Sequence, residues 1–203
     1  MDIIDEITRA HREVGESGEA KTIRIVRHYD TDVDDLWDAC TNAERIPRWF
    51  LPISGDLRPG GNYQFQGNAG GEILACEPPR RLRVSWVMGE APPSYVEVLL
   101  AAEGDRARLE LRHEAVVPPE FWDRYGPGSV GVGWDLGLLG LALHLTGGEK
   151  VDEQHFHETP EGREFIIRSS RAWGEAFQAA GATPDQVSAT TAATTAFYAP
   201  PPQ

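Results

Sequence analysis

The chain has 203 residues, enough for one domain with helices to spare, and at this length folding buries roughly 70% of the accessible surface without needing disulfide staples. Nineteen basic and 32 acidic side chains give a net charge of −13, which excludes the clustered cations that nucleic acid or an anionic membrane requires, and the 40% hydrophobic content excludes a disordered chain. Cys40 and Cys76 match no metal or redox spacing, and the acidic start has no basic signal-type segment, so a cytoplasmic protein without disulfides is predicted.

Residues 2–14 place Ile3, Ile7, Ala10 and Val14 on one helical face, with Asp2 as N-cap and Gly15 to Gly18 as the stop, which predicts an N-terminal helix. Residues 22–29 alternate and predict the first strand. Val33, Leu36, Trp37 and Cys40 at i, i+3, i+4, i+7 predict a short helix, and Thr41-Asn42-Ala43-Glu44 reads as the capping box of a second, limited by Pro47. From residue 53 to 114 the period falls to two. Strands are predicted near 53–57, 62–66, 71–76, 80–87, 94–102 and 106–114, separated by Gly- and Pro-rich turns, as in an antiparallel meander. In the last of them Arg108, Glu110, Arg112 and Glu114 face water while Leu109, Leu111 and His113 face a covered side, and the same rule turns Leu82, Val84 and Trp86 inward.

Residues 115–129 read as a loop that carries Phe121, Trp122 and Tyr125. Residues 130–146 form an apolar helix that needs cover on more than one face; Asp135 and His144 interrupt it, and it reads as too short to span a bilayer. An acidic linker follows over 149–158. Its His155-Phe156-His157-Glu158 has no second pair of ligands, so no metal site is expected there. Thr159-Pro160 opens a helix anchored by Phe165, Ile166, Trp173 and Phe177 and stopped by Gly181. Thr183-Pro184-Asp185-Gln186 opens a last one, with residues 200–202 loose beyond it. The expected organisation is an N-terminal helical extension (1–20), a central domain (21–146), and an acidic linker with C-terminal helices packed on that same domain (147–203).

A set of ordered motifs resembles one known superfamily. They are Val33-Asp34-Asp35-Leu36-Trp37-Asp38-Ala39 with Asn42, Arg45, Trp49 and Phe50; then Leu57-Arg58-Pro59-Gly60-Gly61-Asn62-Tyr63-Gln64-Phe65; then Gly71-Glu72-Ile73-Leu74, Glu77-Pro78-Pro79-Arg80-Arg81-Leu82-Arg83-Val84-Ser85-Trp86 and Gly133-Trp134. Over residues 21–146 the chain resembles the SRPBCC, or START-like, superfamily, and within it the bacterial homologues of the C-terminal domain of the heat-shock-protein-90 ATPase activator. The resemblance implies an α+β helix-grip fold: a curved antiparallel sheet wrapped on a long C-terminal helix, here with added N- and C-terminal helices. It also implies a cavity between sheet and helix that takes an apolar small molecule. It implies no single activity.

The residues expected to line that cavity are Trp49, Phe65, Trp86, Leu109, Leu111, His113, Trp134 and Leu138, with Phe121, Trp122 and Tyr125 as a lid. Three readings of function follow. The first is non-enzymatic binding of a small apolar or aromatic molecule. The second is a polyketide cyclase- or hydratase-like enzyme in which His113 and Asp135 pair at the polar end of the pocket. The third is a chaperone-activator-like interaction module. A core histidine bonded to its surroundings is the simpler reading of His113. No cofactor, metal, nucleic acid or membrane partner is expected, and the apolar flanking helices either cover the fold or make a homodimer contact.

Overall fold

The computed structural model describes residues 2–152 and 155–200. In chain order it contains α1 (Asp5–Thr8), β1 (Ala10–Ser17), β2 (Ala20–Tyr29), α2 (Val33–Thr41), a 3-10 turn (Ile46–Arg48), β3 (Ile53–Gly55), β4 (Asn62–Phe65), β5 (Gly70–Glu77), β6 (Arg81–Trp86), β7 (Ser94–Glu103) and β8 (Arg106–Ala115). Then come α3 (Pro119–Tyr125), α4 (Gly128–Leu145), a second 3-10 turn (Phe156–Glu158), α5 (Pro160–Ala179) and α6 (Pro184–Tyr198). The strands form one open, curved antiparallel sheet in the order β1-β2-β8-β7-β6-β5-β4-β3. With α4 across its concave face, this is the helix-grip α+β architecture.

Register explains the two faces. Val14, Ile23, His113, Val96, Val84 and Ile73 are successive cross-strand partners, so one row on the concave side is apolar except for His113. The neighbouring row, one residue on, is Glu13, Arg24, Arg112, Glu97 and Arg83, and it faces solvent. There Glu110 accepts from Arg24 through both oxygens at 2.8 Å, and also from Arg112 and Arg108.

The helix predicted over 2–14 is not formed. Its place is taken by the single turn of α1 and by β1, which pairs along its whole length with β2 from Ala10↔Arg27 to Ser17↔Ala20. Gly15 is inside the strand, and Gly18, at φ 61°, makes the hairpin turn. Ala10, Arg12 and Val14 point inward, but Arg12 in the middle of that set hid the period of two. The backbone pairing offered by the edge of β2 then outweighed a weak helical pattern.

Two shorter predictions also change. The Thr41–Glu44 motif opens no helix: the Thr41 hydroxyl donates to the Trp37 carbonyl, closing α2, and the Asn42 carboxamide oxygen accepts from the Glu44 N–H. Only the 3-10 turn around Pro47 follows. The loop over 115–129 contains α3, begun by Pro118-Pro119. The capping box at Thr183 and Gln186 forms as read, and Thr159 caps α5. Of the residues expected to be loose at the C-terminus, 201 and 202 lie outside the described residues; Pro200 accepts a hydrogen bond from Arg163.

By length and composition α4 is apolar enough to cross a membrane, contrary to the sequence reading, yet its faces are covered by the protein. Leu138 and Leu141 pack toward the sheet, while Leu139 packs with Ile7 and Phe165. Gly131 permits the close approach of α5, since a Cβ there would sit 2.2 Å from the Trp173 ring.

Candidate functional site

Where α4 crosses the meander half of the sheet, the side chains do not fill the concavity. A cavity of about 150 Å³ remains. Its floor is the inward phase of β4 to β8, including Phe65, Leu82, Val84, Trp86, Val98, Leu109 and Leu111; its roof is Trp134, Gly137, Leu138 and Leu141; Cys40, Ile46, Trp49 and Phe50 close the side beneath α2 and the 3-10 turn. A volume of this size holds one or two small rings.

The aromatic lining is continuous. Ring centroids are separated by 5.7 Å from Trp49 to Phe50, 5.0 Å from Phe50 to Phe65, 5.8 Å from Phe65 to Trp86 and 5.0 Å from Trp86 to Trp134. The tilted and edge-on arrangements present both ring faces and ring edges to whatever lies among them. The polar atoms on these walls turn away to the protein. Tyr63 donates to the Ser85 carbonyl at 2.8 Å, the Trp49 indole to the Ala39 carbonyl at 2.9 Å, and the Trp134 indole to His113 Nδ1 at 3.0 Å. Burial raises the Tyr63 phenol and the Cys76 thiol above their ordinary values and pushes the Cys40 thiol up to about 12, so all three are neutral near pH 7. Among the described residues, no carboxylate, ammonium or guanidinium borders the space.

Seven of the eight residues expected around the ligand border this cavity: Trp49, Phe65, Trp86, Leu109, Leu111, Trp134 and Leu138. His113 lies one layer behind, on the far side of Trp134, and burial holds its imidazole down at about 4. Phe121, Trp122 and Tyr125 do not border it. They belong to α3, where Trp122 packs edge-on against Phe177 and Tyr125 against Phe197; Phe121 and Trp122 border a separate hollow of about 50 Å³ that His113 also reaches.

His113 and Asp135 make no pair. Asp135 sits in the middle of α4, 2% exposed, on a flank of the helix outside the cavity lining. Its carboxylate accepts from Arg12 through both oxygens (3.0 and 3.1 Å), from the Ser169 hydroxyl at 2.6 Å and from the Trp173 indole at 3.0 Å. This cluster ties β1, α4 and α5 together. Near it, Arg27 on the inner face of β2 pairs with the buried Glu6 of α1.

Sequence reasoning missed Phe50, Gly137 and the inward Val96 and Val98. The valines were available from strand alternation, and Phe50 stands beside Trp49 in the motif. Gly137 left no signal, because its contribution is space: a Cβ there would meet only the Phe50 ring, at 3.8 Å.

Comparisons with known proteins agree with the fold. The sequence model of the family described as "Activator of Hsp90 ATPase homolog 1-like protein" matches residues 30–145. The crystal structure of CalU16 from Micromonospora echinospora is similar at 40% identity and a TM-score of 0.68, covering 82% of this chain and 97% of that one. The solution structure of CalU16 gives 37% and 0.70, over 85% and 97%. DynU16, from the dynemicin biosynthetic locus, shares the fold at 22% identity and a TM-score of 0.55, over 63% of this chain and 48% of that one. Curated proteins give no match.

Proposed function

We propose, for a chain that belongs to the Activator of Hsp90 ATPase homolog 1-like family within the SRPBCC superfamily, that its task is to bind a small apolar or aromatic molecule between sheet and α4, without catalysis. The observation that carries this reading is the cavity of about 150 Å³ with its unbroken arc from Trp49 to Trp134. An apolar guest there gains contact area with rings already held in place, so little ordering cost opposes binding.

A cyclase-like mechanism asks for an acid or base facing the guest. The two residues suited to it are engaged elsewhere, His113 behind Trp134 and Asp135 by Arg12. The two free thiols, Cys40 and Cys76, suit a reducing, cytoplasmic setting.

Gly137 provides the test. Gly137→Leu puts a side chain into the space while replacing glycine in mid-helix by a better helix former, a gain of about 1 kcal/mol. Calorimetric titration with naphthalene is expected to show saturable binding to the wild type and at least about tenfold weaker binding to the folded variant. Equal affinities in the two proteins would place the guest elsewhere and overturn the reading.

A further inference from the structure

We propose that His113 is a positioning residue for the aromatic wall: it holds the Trp134 indole, and through Ser94 the end of β6 at Trp86, in the arrangement that shapes the cavity, and makes no contact with the guest itself. The proposal rests on the binding function above but is tested separately from it.

The hydrogen-bond inventory fixes the direction of the chain. An indole N–H only donates, so His113 Nδ1, 3.0 Å from Trp134 Nε1, accepts and carries no proton. The neutral ring therefore has its proton on Nε2, which lies 2.8 Å from Ser94 Oγ. Ser94 Oγ is 2.9 Å from the Trp86 carbonyl oxygen, which only accepts, so the hydroxyl donates there and receives from the imidazole. The result is one directional relay, from Trp134 N–H through His113 and Ser94 to Trp86, in which each donor is used once. It links α4 to β8, β7 and β6.

The rings lie accordingly. His113 is edge-on to Trp134 at 5.8 Å and 82°, and to Trp86 at 6.4 Å and 62°. At 7% exposure its ring is inside the fold, and its cross-strand neighbours Ile23 and Val96 are apolar. A valine would satisfy that row as packing. An imidazole adds an acceptor on one edge and a donor on the other, which is what an indole needs if it is to keep one orientation beside a hollow space. With both nitrogens spent, His113 has nothing left to offer a ligand's polar group.

The test uses His113→Phe, His113→Gln, Ser94→Ala and Trp134→Phe in the full-length protein, with two readouts: calorimetric affinity for naphthalene, and the nitrogen-15 indole resonance of Trp134, assigned by its loss in Trp134→Phe. His113→Phe is expected to move that resonance and weaken naphthalene about tenfold. Ser94→Ala should do the same to a smaller degree. His113→Gln, which keeps an acceptor and a donor, should regain part of the loss. In the Trp134→Phe background, His113→Phe should cost clearly less affinity than it does alone, since only the arm through Ser94 remains, a non-additivity that a general packing defect would not produce. An unmoved indole resonance with wild-type affinity in folded His113→Phe, or in Ser94→Ala should His113→Phe not fold, overturns the proposal. So does full additivity with Trp134→Phe. If the wild type takes up no naphthalene, the binding function falls, and the indole resonance alone decides the positioning role.

Discussion

Burial holds the His113 imidazole at about 4 in the folded protein, against an ordinary 6.5. The unfolded chain therefore binds this proton first, and the stability tied to the neutral ring is complete above about pH 6.5 and is lost as pH falls toward 4. A shift of this size corresponds to a loss on the order of 3 kcal/mol. Urea unfolding of the wild type is expected to weaken across that window, and His113→Gln to flatten the curve there; parallel curves for the two proteins would show that the ring is not desolvated. Glu110 titrates in a lower window. The bond from Arg24, then those from Arg108 and Arg112, hold its carboxylate far below the ordinary 4.5, so its contribution is present above about pH 4.5 and disappears only in stronger acid. Glu110→Gln is thus expected to destabilise at pH 7 and to converge with wild type as acid is added. A difference that stayed constant down to acid unfolding would remove the three-arginine arrangement from the stability account.

Among the elements, β1 and α5 depend on each other through one carboxylate. Removing residues 1–18 would strip Arg12 from Asp135 and Glu6 from Arg27, leaving two buried charges without their partners. Breaking a buried pair by deleting one partner costs about 3–5 kcal/mol, a large part of an ordinary domain's stability. The truncated chain is expected to unfold at much lower urea or to fail to fold; a truncation with an unchanged midpoint would make β1 an accessory. The same reasoning bears on α3. Trp122 is held by Phe177 and by Lys21, whose Nζ lies 5.2 Å from the ring centre, while the Tyr125 carbonyl accepts from Thr194. An element fastened to α5 and α6 need not move when the cavity fills. Amide exchange across Pro119–Tyr125 is expected to be equal with and without naphthalene, and slower exchange in its presence would restore α3 as a lid.

For the whole molecule, one core runs from Ala10 and Val14 of β1 through the sheet and α4 to Trp173 and Ala176 of α5 and on to Ala199. The flanking segments therefore share their packing with the central domain, and urea unfolding is expected to be a single transition that far- and near-ultraviolet dichroism report at the same midpoint; two separated transitions would divide the chain. The local patterns were readable without the structure. Alternation with Gly and Pro punctuation placed the strands between residues 53 and 115, and it turned Leu109, Leu111 and His113 to the concave face, because a period of two is a property of consecutive residues. The capping residues Thr159 and Thr183 marked their helices for the same reason. What only the tertiary structure decided were matters between residues far apart in the chain. Pairing with the edge of β2 turned an expected helix into an edge strand, and Arg12, 123 positions from Asp135, took that carboxylate away from His113. The cavity is likewise no property of any segment, since it is the volume left over when the sheet, α2 and α4 meet, and a glycine at 137 that leaves space makes no pattern in the sequence.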